Sequence, residues 1–181
     1  MALFWQVGYE PATVAMLCSA MEITAPSLYA AFGNKAQLFL EVVQHYEAVH
    51  WDAAWQRLEN EPRALQAIET FFLEAARMIA SGGGSPGGCM VVLAATNVSP
   101  DANEISAALK ARRDAGEKRF LRRLSRAVAD GQLPPRTDAV GCAATLNTLL
   151  QGMSVQARDG ASSVELESIA RIAMRVLPQP I

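Results

Sequence analysis

Between its glycine and proline breaks the chain shows apolar residues recurring at three- and four-residue intervals, with no sustained period-2 alternation anywhere. Segments of that kind can bury one face only as helices, so the expected fold class is all-α. The breaks delimit about nine helices: Leu3 to Val7, Thr13 to Met21, Ala25 to Phe32, Ala36 to Leu58, Arg63 to Ala80, Met90 to Val98, Asp101 to Ala129, Asp138 to Ala157 and Val164 to Leu177. Leu38, Phe39, Val42, Val43, Tyr46 and Val49 form one stripe of the fourth helix. Leu65, Ile68, Phe71, Phe72, Ala75 and Ile79 form another on the fifth, with Pro62 at its first turn, where a missing N–H costs nothing. Ser99-Pro100-Asp101 and the Gly131 to Pro135 stretch bracket the seventh helix, and Gly160 to Ser163 supplies a break and an N-cap for the last. Gly82 to Gly88, glycine-rich throughout, is expected to be a mobile loop.

With 51% hydrophobic residue types in 181 residues, the chain can bury a core without metals or disulfides. Its three cysteines, Cys18, Cys89 and Cys142, are scattered and contain no CxxC pair, which argues against a disulfide framework or a zinc cage and fits a reducing cytoplasm. The opening Met1 to Trp5 lacks the basic segment of a signal peptide. Ala139 to Ala157, the longest uncharged run, holds too many amide and hydroxyl groups to span a bilayer, so no membrane association is expected.

Catalytic constellations are missing from the sequence. No Ser/His/Asp set or P-loop occurs, the glycines at 82–88 lack a following Lys-Ser/Thr, and His45 and His50 are five apart rather than at the i, i+4 spacing of a helical metal site. A non-enzyme with no cofactor and no metal is expected. Cys89 has no neighbouring Lys, Arg or His in sequence and reads as a small buried hydrophobe. Arg112, Arg113, Lys118, Arg119, Arg122, Arg123 and Arg126, interrupted by Asp114 and Glu117, read as the solvated face of an amphipathic helix whose other side carries Phe120, Leu121, Leu124 and Val128.

The segment from Gly8 to Leu40 carries the functional signal. Two short helices joined by Glu22-Ile23-Thr24 have the layout of a helix-turn-helix. Val14, Leu17, Met21, Ile23, Leu28 and Phe32 would form a small core against Leu3, Phe4 and Leu38, leaving Ser27, Tyr29 and Ala30 outward. At Phe4-Trp5-Gln6-Val7-Gly8-Tyr9-Glu10, at Ser27-Leu28-Tyr29-Ala30-Ala31-Phe32-Gly33-Asn34-Lys35 and at Leu38-Phe39, the chain resembles the DNA-binding region of the tetracycline-repressor (TetR/AcrR) family. The Gly88-Cys89 junction and the Val98-Ser99-Pro100-Asp101 break resemble that family's regulatory domain.

The resemblance implies a homodimeric, cytoplasmic transcription factor, usually a repressor, that binds a palindromic double-stranded operator and releases it when a small-molecule effector enters the regulatory domain. By position, Thr13 would touch a phosphate from the start of the first short helix. Ala25, Pro26 and Ser27 would meet base edges with Thr24 in the same DNA-facing set, and Tyr29 and Lys35 would each meet a phosphate. It also implies a helix-turn-helix domain over 1–46 and a ligand-binding and dimerisation domain over 47–181. Trp51, Trp55, Phe72, Met78, Cys89, Met90, Phe120 and Met153 are the candidate lining of an effector cavity.

Two departures bear on DNA binding. The family's basic arm and the first turns of its first helix have no counterpart ahead of Met1, as if the first helix were truncated. Residues 1–50 carry one Lys, no Arg and four Glu, and Glu22 and Ala25 replace the usual glycine and polar residue. Such a face predicts weak operator binding. A dimeric helical ligand-binding or interaction module that no longer binds DNA is the alternative reading. For either reading the dimer contact is expected through the last two helices, 138–157 and 164–177. There Gly141, Ala143, Ala144 and Gly152 allow close approach, and Leu146, Leu149, Leu150, Met153, Ile169, Ile172, Ala173, Val176 and Leu177 supply apolar area.

Overall fold

The computed structural model describes residues 1–80, 87–95 and 98–178. Among them the regular structure is helical, with ten α-helices and no strand. Most of the mobile loop expected over Gly82 to Gly88 lies outside the described residues. At its far edge, the Gly88 N–H donates to the Ile79 carbonyl at 2.7 Å.

Three short helices and the start of a long one make the N-terminal part: α1 (Ala2–Val7), α2 (Val14–Met21), α3 (Ala25–Phe32) and α4 (Lys35–His50). Each of the last three begins at a polar N-cap whose side-chain oxygen accepts a backbone N–H. Thr13 takes that of Met16, Thr24 that of Ser27 and Asn34 that of Gln37. Phe4, Leu17, Leu28 and Leu38 are buried together, with Leu3, Val14, Met21, Ile23 and Phe32 packed on them, so the expected small core forms. The axis bends by 93° between α2 and α3. That pair is apolar enough in sum to resemble a broken span, but among the described residues no single helix is long and apolar enough to cross a membrane.

The run from Ala36 to Leu58 is two helices, not one: α4 ends at Trp51 (φ −113°, ψ −33°) and α5 (Asp52–Asn60) follows at once. The reason is phase. Phe39, Val43 and Tyr46 are buried on α4, whereas Trp51, Ala54 and Leu58 are buried next, a set displaced by roughly one residue, or about 100° around a helix. A straight helix could not bury both sets, and Val49, expected on the stripe, is 57% exposed.

The remaining helices form a bundle: α6 (Ala64–Ile79), α7 (Met90–Leu93), α8 (Asn103–Ala129), α9 (Ala139–Arg158) and α10 (Ser163–Ala173), with α9 against α8, and α5 and α10 against α6. Pro62 lies one residue ahead of the α6 N-cap rather than in the first turn, and its carbonyl accepts from Arg123 and Gln132. Of the expected helix from Met90 to Val98, the described part forms a single turn, Met90–Leu93, and residues 96–97 lie outside the described residues. Short 3₁₀ turns, Pro100–Ala102 and Met174–Val176, lead into α8 and end the described C-terminal helix. A capping box of Ser162 and Glu165 starts α10.

Candidate nucleic-acid interface and core cavity

One face of the N-terminal part is built for an anionic partner by geometry but not by charge. On α3, Leu28 is wholly buried while Pro26, Ser27, Tyr29 and Ala30 are exposed, Tyr29 at 48%, and Ala25 is half-buried. Thr24 and Ser27 are hydrogen-bonded side chain to side chain at 2.9 Å, so both hydroxyls are oriented at the helix start. Thr13 is exposed at the N-terminus of α2, where the unpaired N–H groups and the helix dipole suit a phosphate.

Lys35 is not free. Its ammonium donates to the carbonyls of Tyr9 and Glu10 at 3.0 and 3.4 Å and lies 4.2 Å from the centre of the Tyr9 ring. Two of its three donors therefore fasten the Tyr9-Glu10 turn to the start of α4, which leaves one for a phosphate. Glu10 is itself tied down: the Ser99 N–H donates to its Oε1 at 2.9 Å, and that bond holds the carboxyl below the usual carboxylate range.

The N-terminal part is joined to the bundle through α1. The Trp5 indole N–H donates to the Gly88 carbonyl at 2.9 Å, and Arg158 of α9 donates to the Trp5 carbonyl at 2.8 Å. The Cys89 N–H in turn donates to the buried Ser154 hydroxyl at 2.6 Å, fixing the start of α7 between α1 and α9.

Behind α7 lies a half-open cavity of about 270 Å³, bordered by the end of α4, α5, α7, α8 and α9. Of the candidate lining residues, Trp51, Trp55 and Cys89 border it. Phe72, Phe120, Met90 and Met153 do not: each is buried in the core, and Met78 packs against that core. Phe72 and Phe120 form the layer beneath, stacked at 5.7 Å, with Phe71 and Phe120 lying 4.3 and 5.2 Å from the Trp55 ring. Met90 borders a separate groove of about 240 Å³ against α1. The Cys89 thiol is buried, and burial pushes it above its usual range against the opposing pull of the Tyr46 hydroxyl.

Charged groups missed by the sequence reading complete the cavity wall. The expected solvated face holds for Lys118, Arg122 and Arg126, which are exposed, but not for Arg112, Arg113 and Arg119: these three line the cavity together with Glu47, and Arg112 is ion-paired to Glu47. Arg119 lies over the Trp55 ring at 5.3 Å, and Arg113 donates to the Val91 carbonyl at 3.3 Å. The recoverable signal was their i, i+1 and i+7 spacing around Gly116, the one glycine within α8.

A third surface is apolar and exposed. Val140 and Val155 of α9, with Val164 and Ile172 of α10 and Val176 beyond it, face outward, Val164 at 75% and Val176 at 72%. Gly152 among them has open space beside it. The expected contact set is thereby corrected: Ala143, Leu146, Leu150, Met153 and Leu177 are buried inside the protomer, against α6 and α8.

Comparison with known proteins agrees with this layout. Residues 1–42 match the family described as bacterial regulatory proteins, tetR family, and residues 64–172 match the tetracyclin repressor-like C-terminal domain. The chain is 36% identical to the HTH-type transcriptional repressor ComR of Escherichia coli (strain K12), over 99% of its own length and 85% of that protein. To the HTH-type transcriptional repressor BdcR of the same organism it is 30% identical, over 94% of its length and 81% of that protein. A cysteine mutant of the TetR family transcriptional regulator CifR, solved in complex with 26-bp double-strand operator DNA, matches at a TM-score of 0.93 and 38% identity, over 98% of this chain and 92% of that one. With helix-turn-helix and bundle each matched in sequence and in shape, the chain belongs to the TetR family of bacterial transcriptional regulators.

Proposed function

We propose that the protein is a homodimeric repressor that holds a palindromic operator and releases it when a small molecule fills the cavity behind α7. The observation that carries this reading is the course of α4. Its first turn, with Lys35 and Leu38, is part of the helix-turn-helix, and its last turn brings Glu47 into the cavity wall. A sixteen-residue helix is a strut of about 24 Å, so displacement of Glu47 by a ligand tilts the DNA-reading end. In the dimer that tilt changes the distance between two reading heads, which must match one DNA turn or a multiple of it.

On this reading the DNA-binding domain is 1–46 and the ligand-binding and dimerisation domain 47–181. Thr13, Tyr29 and the remaining donor of Lys35 contact phosphates, and Thr24, Ala25, Pro26 and Ser27 face base edges. The dimer forms through the exposed apolar side of α9 and α10. The repressor names of ComR and BdcR, and the operator complex of CifR, support the assignment.

The test is fluorescence anisotropy on DNA from the gene's own promoter at about 50 and 200 mM salt. Specific binding that weakens on addition of a cavity ligand is expected. The acidic N-terminal segment favours a second reading, a ligand-binding dimer without DNA, and anisotropy that stays at the level of random DNA even at low salt selects it.

A further inference from the structure

The side chains of α3 narrow what the operator is made of. Direct readout of guanine or adenine in the major groove uses a side chain that makes two parallel hydrogen bonds, Arg or Lys to guanine and Asn or Gln to adenine. None of these residue types occurs in α3, whose eight residues are Ala-Pro-Ser-Leu-Tyr-Ala-Ala-Phe. With Leu28 buried and Phe32 packed on the small core, the side chains it turns outward are Pro26, Ser27, Tyr29, Ala30 and Ala31.

The polar groups around that face are already engaged. Thr24 Oγ1 accepts the Ser27 N–H at 3.4 Å and the two hydroxyls share a hydrogen bond of 2.9 Å, so one O–H at most is left to meet a base. Asn34 Oδ1 accepts the Gln37 N–H at the α4 N-cap, and the Gln37 amide lies where a Cβ of Gly33 would stand, at the far end of α3. Lys35 is fastened to the Tyr9 and Glu10 carbonyls. Glu22, exposed in the turn ahead of α3, has the wrong sign of charge for the surrounding phosphates.

What remains is apolar. Pro26 and Ala30 are four residues apart and so share one side of the helix. Together they make a short hydrocarbon strip that starts in the first turn, the end of a recognition helix that meets base edges. Of the four bases only thymine presents an apolar group to the major groove, its C5 methyl.

We propose that the protein reads its operator half-sites through thymine methyl groups packed against Pro26 and Ala30, with one hydroxyl of the Thr24–Ser27 pair as the polar contact. This rests on α3 being the DNA-reading helix. Thr13 and Tyr29, on phosphates, then fix the register without reading sequence.

Fluorescence anisotropy of the full chain on a promoter duplex, its half-sites first located by footprinting, tests the assignment. Replacing thymine by uracil removes the methyl and leaves every hydrogen-bonding atom in place. Each contacted methyl is expected to be worth about fourfold in affinity, so uracil at all half-site thymines should weaken binding by at least about tenfold. The same replacement in flanking base pairs should leave it unchanged. At a sensitive position 5-methylcytosine should bind more tightly than cytosine, since it returns the methyl alone. Pro26→Ala combined with Ala30→Gly should weaken binding of the thymine duplex by at least about tenfold and of the uracil duplex by less than about twofold. The comparison of thymine with uracil on the unaltered protein stands whether or not that variant folds. Half-sites without thymine, equal binding of the thymine and uracil duplexes, or an equal loss from flanking uracils would each overturn this inference and leave operator binding in place. Binding no tighter than to random DNA removes the repressor reading and this inference with it.

Discussion

Glu22 is the one non-glycine residue with positive φ among those described, at φ 54° and ψ 40°. It closes α2 by a Schellman pattern: its own N–H donates to the Ser19 carbonyl and the Ile23 N–H to that of Cys18, so Ile23 is delivered to the small core. A left-handed conformation costs a side chain about 1 kcal/mol. Glu22→Gly should therefore stabilise the protein by up to about 1 kcal/mol in chemical denaturation, less what glycine's extra freedom in the unfolded chain takes back. His50 gives a second residue-scale prediction. Burial, and then the charge of His45, lowers its pKa below the ordinary imidazole value, and its Nε2 is buried without a partner. The unfolded chain thus takes up a proton first as pH falls. The contribution of neutral His50 is complete above the ordinary histidine pKa of about 6.5 and is lost as pH falls through its lower folded value. Thermal midpoints should drop between pH 7 and pH 5, and His50→Gln should flatten that slope, because the chain has only two histidines to titrate there.

Among the elements, α8 is the organiser. Its buried Arg123 donates to the carbonyls of Leu58, Glu61 and Pro62 at 3.1, 2.7 and 3.1 Å, closing the C-terminal end of α5 and the turn into α6. Arg126 donates to the Glu59 carbonyl and Arg122 pairs with the Glu59 carboxylate, so the helix fastens the last turn of α5. Arg123→Met should cost about 3 kcal/mol or more, since it leaves several carbonyls without donors, and Arg123→Lys should recover little because one ammonium cannot span all three. Urea midpoints of the two variants check this. A basic run was legible in the sequence, but its use was not: helical periodicity places Arg123 beside Leu124 and Ala127 on the inner side without saying that carbonyls 65 residues away would meet it. Likewise the stripe from Leu38 to Tyr46 was readable, whereas the change of phase at Trp51 became visible only once α6 and α8 were in place to receive Trp51, Ala54 and Leu58.

For the whole molecule the decisive surface is the apolar side of α9 and α10. Val164, Ile172 and Val176 are exposed in the protomer, so charging them costs the monomer little, yet they lie at the centre of the proposed contact. Ile172→Asp combined with Val176→Asp should give a monomer mass in sedimentation at micromolar concentration, with an unchanged helical spectrum and operator affinity lowered at least a hundredfold, because a lone reading head holds one half-site. A dimer mass that persists in this variant would place the contact elsewhere.

What the sequence determined by itself was local: helix periods, the Thr13, Thr24, Asn34 and Ser162 caps, the turn at Glu22 and the small core around Leu28, each set by residues within a few positions of one another. Trp51, Trp55 and Cys89 were legible as cavity residues, while Phe72, Met78, Met90, Phe120 and Met153 could not be told from them, since a ring at helical spacing carries no mark of whether space lies beside it. Only the tertiary structure decided which arginines line the cavity, which apolar side of the last helices turns inward, and how Trp5 and Arg158 bind the two parts together. Those outcomes depend on elements as far apart as Trp5 and Gly88, 83 residues in sequence, and packing between distant elements is a property of the assembled chain rather than of any segment in it.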